Sequence, residues 1–378
     1  MEIYIVTIIA SVLFAMIADY SKRNTISDRK IGQSKPGSNK RWIVYVGLSA
    51  LVPFLVSALR YGIGTDYFYT YVPKYYYYYS NPDAPMDWEP LFWFLCKSLA
   101  RITSNPQWMF AIASAITVCC VWYSVYRISS IPWFSILLFF ISRQYFVSMN
   151  AVRQYIGLSL VLVGITFLKN KKYWVYLLFV AVGTMFHYST AIFAPLLLIA
   201  FVPLKPIEST AIIGFFSVFS NVFYSFVRKI VLLTPYAKYI GTEFDTADRY
   251  NPWTIFELLL VHIIISILID RNPMLENERF LRFLYNTHIV CLLIAFNLHL
   301  IPNGERISWS LEMPSILLIP EMISRMKDRR ERIIVVCLII TVYSYIMYNR
   351  VKAGNHQVYP YFCIPSLSVY LQDLFAVA

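Results

Sequence analysis

The chain has 378 residues, of which 58% are hydrophobic and only 14% charged; a soluble domain carries about 25% charged residues. That excludes a water-soluble globule, and 12 glycines with 19 prolines exclude a collagenous or disordered chain. The net charge of +12 invites a nucleic-acid reading, but no basic stripe with stacking aromatics stands outside the apolar runs, so Lys and Arg concentrated in loops on one side of a membrane account for it.

Met1-Glu2 is followed by neither a basic leader nor an Ala-x-Ala site, so residues 3–18 read as a retained first span. Apolar runs bounded by charge or Pro/Gly continue at 42–59, 106–126, 132–149, 152–168, 173–187, 189–204, 209–227, 253–269, 281–300, 307–324 and 333–349. Twelve spans result. Residues 89–103 read as a further helix lying in the interface, with Leu91, Phe92, Phe94 and Leu95 set against Lys97 and Arg101. The expected fold is all-α, a polytopic integral membrane helical bundle forming one domain over 1–378.

One face of that bundle collects 19–41, 127–131, 169–172, 205–208, 270–282 and 325–332, which together hold 20 of the 33 Lys and Arg. The positive-inside rule makes this face cytoplasmic and puts both termini outside, with the loops 60–105 and 228–252 and the tail 350–378. The basic stretch from Lys22 to Arg41 is then a topology anchor. Six cysteines lie mostly in apolar runs without metal-ligand spacing, which makes them packing residues. No glycine-rich phosphate loop occurs, and no internal repeat argues for an inverted-repeat transporter. Chemistry is expected on the outer face, with no metal and no cofactor.

Two span pairs are short. Residues 173–204 provide about 48 Å of helix for two passes that need about 60 Å, so the tip Phe186-His187-Tyr188-Ser189-Thr190 should fall below the outer surface. The pair 132–168 provides about 55 Å on the same rise, and its break carries Arg143, Asn150, Arg153 and Gln154. Arginine at membrane depth must face protein, water or an anion. Both breaks are therefore read as lining one water-filled hollow open to the outside; the blander alternatives are His187 capping a hairpin and Arg153 snorkelling to headgroups.

Directly after the second span comes Arg60-Tyr-Gly-Ile-Gly-Thr-Asp66-Tyr67, where two glycines permit a tight turn flanked by a cation and a carboxylate. A boundary turn with a structural ion pair fits it equally. Glu89 starts the interfacial helix, where helix capping is the competing role. Arg306, in the turn Asn303-Gly304-Glu305-Arg306, is either an anion contact or a boundary residue. The run Tyr75 to Tyr79 is an aromatic belt or a sugar-stacking surface. Arg228 and Arg249 face outward and could hold phosphate, beside Glu243, Asp245 and Asp248, which read as solvated; a long loop of this kind is a candidate for ligand specificity.

These motifs resemble the EpsG-like branch of the Wzy-type polysaccharide repeat-unit polymerases: Arg60-Tyr-Gly-Ile-Gly-Thr-Asp-Tyr67, Glu89-Pro-Leu-Phe92, Asn150-Ala-Val-Arg-Gln154, Phe186-His187-Tyr-Ser189, Glu305-Arg306-Ile and Tyr359-Pro-Tyr361, in order along nearly the whole chain. The resemblance implies a GT-C-like membrane glycosyltransferase of the bacterial cytoplasmic (inner) membrane. It would transfer a growing chain from its polyprenyl diphosphate to a sugar hydroxyl on a new lipid-linked oligosaccharide, at the outer face. Its implied partners are that lipid-linked oligosaccharide, the lipid bilayer, a chain-length regulator and a flippase, with no nucleic acid. Cations are needed for the leaving diphosphate and a base for the acceptor hydroxyl. Arg153 and Arg306 are expected to contact diphosphate, with Arg60 third; Asp66 and His187, ahead of Glu89, are expected to activate the acceptor. Tyr67, Gln154 and Arg249 are expected to line the rest of the substrate site. A lipid-linked oligosaccharide flippase and an outer-face transferase of one sugar or acyl group are the alternatives, and Glu257, His262 and Glu312, placed within spans, are the residues that a flippase would explain better.

Overall fold

In the computed structural model the described residues are 1–30, 41–245, 251–271 and 278–363, without the side chains of 25–30. Every regular element among them is a helix, and an isolated β-bridge joins Arg60 to Cys363. In chain order the α-helices are α1 (Glu2–Lys30), α2 (Arg41–Ala58), α3 (Val72–Ser80), α4 (Pro90–Ala100), α5 (Gln107–Ile128), α6 (Pro132–Ile141), α7 (Gln144–Asn150), α8 (Val152–Leu168) and α9 (Tyr173–Phe186). They continue as α10 (Phe193–Leu196), α11 (Pro206–Val218), α12 (Ser220–Leu232), α13 (Pro252–Arg271), α14 (Arg279–Phe296), α15 (Gly304–Glu312), α16 (Ser315–Ser324) and α17 (Arg329–Lys352).

Six helices are long and apolar enough to cross a membrane: α1, α2, α5, α13, α14 and α17. The protein is a multi-pass helical membrane protein, and among the described residues several of the expected runs are broken. The apolar run 209–227 is two helices, α11 and α12, bent by 85° at Phe219. The run 132–149 breaks at Ser142-Arg143, where Arg143 adopts a left-handed φ of 69°, and 307–324 breaks between α15 and α16 at Met313-Pro314. Hydropathy sums over such breaks because it counts side chains and is blind to where the backbone ladder is cut. α9, of 14 residues, rises about 21 Å, short of the roughly 30 Å hydrocarbon thickness. α9 ends at Phe186, and 188–201 continues as two 3₁₀ turns around α10.

The helices pack into two compact units. The first comprises Met1–Val163, Met185–His187 and the chain from Met347 onward. α1 crosses α2 where Ser11 and Ser49 exchange hydroxyl-to-carbonyl hydrogen bonds of 2.7 and 2.8 Å, and the Trp122 indole of α5 donates to the same Ser49 hydroxyl at 3.0 Å. Small residues let backbones approach, and their hydroxyls bond across the contact. α4 presents Phe92, Cys96 and Ala100, spaced by four, to a core shared with Tyr67, Tyr71, Tyr75, Tyr78 and Phe110. The same helical period divides the tyrosine run of α3: Tyr75 and Tyr78 are buried while Tyr77 and Tyr79 are exposed.

A segment after α17 returns over the Arg60–Asp66 turn. The Gly64 and Thr65 amides donate to the Gln357 and His356 carbonyls, each at 3.1 Å, and Tyr61 N–H to Phe362 at 2.9 Å; Tyr4 and Tyr361 hydroxyls donate to Val358 and Val56 carbonyls. Gly64 sits at φ +101°, and a Cβ there would lie 2.8 Å from the Met149 carbonyl oxygen. Gly64→Ala is therefore expected to cost about 2 kcal/mol or more, by positive φ and backbone collision together. Thermal unfolding in detergent measures it.

The second unit comprises Gly164–Thr184 and Tyr188–Ile346. Gly164 lets α9 approach α8, since a Cβ there would meet the Phe179 Cβ at 2.9 Å. The broken stretch 188–201 leaves carbonyls that lipid cannot satisfy. Asn286 of α14 donates its amide to Ile199 and Val202 at 2.6 and 2.9 Å, and the Tyr176 hydroxyl donates to Phe193 at 2.6 Å.

Candidate functional site

Glu89 is the N-cap of α4, with Pro90 as the first helical residue, and is 4% exposed. Both its oxygens are engaged from distant parts of the chain: Oε2 accepts from Arg153 Nη1 at 2.5 Å and Oε1 faces His187 Nδ1 at 2.8 Å. The break before α8 supplies the guanidinium, and the end of α9 supplies the imidazole. Thus the two early turns meet, within the first unit, on one carboxylate. The Arg153 guanidinium lies 4.9 Å from the Trp88 ring centroid and 6.0 Å from Phe92, a cation–π setting that holds its plane. Its Nε is buried without a hydrogen-bond partner. Segment 87–89 is anchored by Asp87, which pairs with Lys74 and accepts from the Tyr78 hydroxyl.

Burial alone would raise the Glu89 pKa; the His187 hydrogen bond and the Arg153 charge outweigh it and hold the carboxyl at about 2. Because the folded value lies below the unfolded one, its stabilisation is complete above about pH 5 and is lost as pH falls from about 4.5 toward 2. The difference in melting temperature between wild type and Glu89→Gln should accordingly narrow as pH falls from about 4.5 toward 2. Thermal unfolding across that range checks this.

The remaining expected residues fall in several places. Arg60 is 1% exposed and turns inward: Nη1 donates to the Ser57 carbonyl and to the Ser57 and Ser114 hydroxyls, Nη2 to the Met149 carbonyl at 3.3 Å, and the guanidinium covers Phe110. Those carbonyls belong to the last turns of α2 and α7, where helices leave acceptors unsatisfied. Arg60 thus braces helix ends. Tyr67 is likewise core: it stacks on Phe110 at 4.4 Å and donates to Gln107 Oε1 at 3.0 Å. Gln154 is 1% exposed, in the first turn of α8. Asp66 precedes the π-helical turn Tyr67–Tyr71, and its amide donates to Asn150 Oδ1 at 3.0 Å; the Asn150 amide group lies 3.4 Å from His356 Nδ1.

In the second unit, Arg306 is half-buried in the first turn of α15, near Tyr236. Arg228 grips Asp245 in a two-pronged pair of 2.5 and 2.7 Å, so neither is a solvated loop charge. Arg249 and Asp248 lie outside the described residues. Glu257, His262 and Glu312 are buried, as is His288, which the sequence does not single out. His262 stacks between Tyr285 and His288 at centroid distances of 6.1 and 6.2 Å. Among the described residues no group of three or more His, Cys, Asp or Glu is placed to hold a metal.

Trp88 and Tyr71, whose hydroxyl stands 3.4 Å from the Arg153 amide, were not singled out from sequence. The position of Trp88 immediately before Glu89-Pro90 was the available signal for one; nothing local distinguishes Tyr71 among so many tyrosines. No match was found among curated proteins or among solved structures. A family model does match, over residues 43–363, and that span takes in most of α2, all of α3 through α17, the Glu89–Arg153–His187 cluster and the returning tail. The chain belongs to the EpsG family.

Proposed function

We propose that this protein is a membrane glycosyltransferase that polymerises polyprenyl-diphosphate-linked oligosaccharide repeat units at the outer face of the cytoplasmic membrane. The observation that carries the reading is the buried Glu89 carboxylate shared by Arg153 and His187. An ionised Glu89 that accepts from His187 Nδ1–H puts the basic lone pair on Nε2. That nitrogen takes the proton of the acceptor hydroxyl as the hydroxyl oxygen bonds to the donor's anomeric carbon. The bond from that carbon to the lipid diphosphate breaks, and the diphosphate leaves with the electron pair. Arg153 spends Nη1 on Glu89 and offers Nη2 to that anion, a planar fork suited to oxygen acceptors. Arg306 is proposed as an anion contact in its own right, and Asp66 as a residue that orients the acceptor.

Deletion of the gene, followed by gel analysis of surface polysaccharide, tests the function. Long chains should vanish while single-repeat product remains. Arg306→Ala should shorten or abolish the polymer with the protein still inserted; wild-type chain lengths would remove it from the mechanism. The buried Glu257, His262, His288 and Glu312 favour a second reading, a lipid-linked oligosaccharide flippase, because intramembrane ionisable groups mark transport paths. Loss of every surface repeat, with repeats trapped inside, is that reading's outcome.

A further inference from the structure

The second unit contains a cavity of about 340 Å³ that the reading above does not use. Its walls are the last turn of α13 at Ile269, the first turn of α14 at Leu281 and Arg282, the entry to α11 from Pro203 to Glu208, and Met322 of α16. α13 and α14 are spans by length and apolarity, so a cavity beside the end of one and the start of the other lies where hydrocarbon gives way to headgroups.

Its chemistry is divided in the same way. Leu204, Ile269, Leu281 and Met322 form an apolar side, whereas Lys205 and Arg282 supply two cations. The amino end of α11, a helix of 13 residues, adds partial positive charge. Glu208 is the carboxylate in the wall, and its Oε2 is engaged with the Lys205 backbone amide at 3.0 Å, closing the α11 cap. Asp270 lies one residue beyond the wall on α13 and is exposed. The Tyr285 hydroxyl is fixed 2.9 Å from Ser209 Oγ, which leaves its ring as a rigid part of the lining. Ile207 of α11 and Ile263 and Ile267 of α13 are exposed apolar side chains on the helices that lead away from the cavity. Hydrated inorganic phosphate gains nothing from such an apolar side; a phosphate carrying hydrocarbon does.

We propose that this cavity binds the phosphate headgroup of a membrane lipid, with Lys205 and Arg282 on the phosphate and the hydrocarbon lying along α11 and α13. The chemistry is shared by an anionic glycerophospholipid and by a polyprenyl phosphate. The site is built from residues distinct from the Glu89 cluster and does not rest on the polymerase reading.

Native mass spectrometry of the full chain in detergent, titrated with phosphatidylglycerol, polyprenyl phosphate or phosphate-free diacylglycerol, tests it. Both phosphate lipids should bind at least about tenfold more tightly than diacylglycerol, and Lys205→Gln with Arg282→Gln should weaken that binding about tenfold. Whichever phosphate lipid binds more tightly identifies the source. The Lys205 side chain is exposed, so Lys205→Gln alone keeps the fold and should still weaken binding measurably. An Arg153→Lys background retains the binding if the site is this one, whatever becomes of polymer formation. Equal binding of diacylglycerol, unchanged binding in the Lys205→Gln and double variants, or loss of binding with Arg153→Lys alone overturns the proposal.

Discussion

Glu89→Gln should abolish long-chain polymer, lowering turnover about 100-fold or more, while the protein stays inserted in the membrane. A carboxylate offers acceptors to both neighbours; an amide offers one acceptor and one donor. Either Arg153 Nη1 or His187 Nδ1–H then meets another donor, and the imidazole loses the partner that fixes its tautomer. The accompanying stability loss should be about 1–3 kcal/mol, that of a buried polar group left unsatisfied. In-vitro polymerisation, normalised to folded protein by size-exclusion chromatography, separates the two effects. A decrease no larger than the loss of folded protein would make Glu89 a structural clamp and remove His187 as the base.

Arg153→Lys keeps the charge and is expected nonetheless to reduce polymerisation about tenfold to 100-fold. An ammonium group lacks the planar fork that sits over Trp88 and Phe92 and reaches Glu89 through one nitrogen and an anion through another. Its effect should appear chiefly as weaker use of the lipid-linked donor, read from the concentration dependence of the rate. Arg153→Ala, which also strands the Glu89 charge, should be worse in both rate and stability. Activity of Arg153→Lys equal to wild type would show that a point charge suffices and that the ring-stacked geometry is incidental.

Much of this arrangement was legible beforehand, because it follows from lengths and from the cost of burying charge. The short run 173–204 had to turn early, and α9 is indeed 14 residues. Arg153 had to find a partner at depth, and Glu89 with the rings of Trp88 and Phe92 supplies it. Which carboxylate would serve was not legible. Along the chain Asp66 in its glycine turn ranks ahead of Glu89 at its helix cap, and only the packing of α3 and α4 brings Glu89 to Arg153 and His187. Arg60 shows the same limit in reverse: its place beside two glycines suggests an outward cation, yet the ends of α2 and α7 draw it inward.

Composition and periodicity alone determined that this is an all-helical membrane protein, since an apolar chain in lipid must satisfy its backbone within each segment. They also placed the tight turn at Gly62-Ile63-Gly64 and the polar breaks near 143–154 and 187. Tertiary structure decided how many helices are whole, where α11 bends into α12, and which side chains share a hydrogen bond across 64 and 98 residues of sequence. Local pattern records the solvent that each residue faces, whereas a site depends on which distant residues the folded backbone makes neighbours.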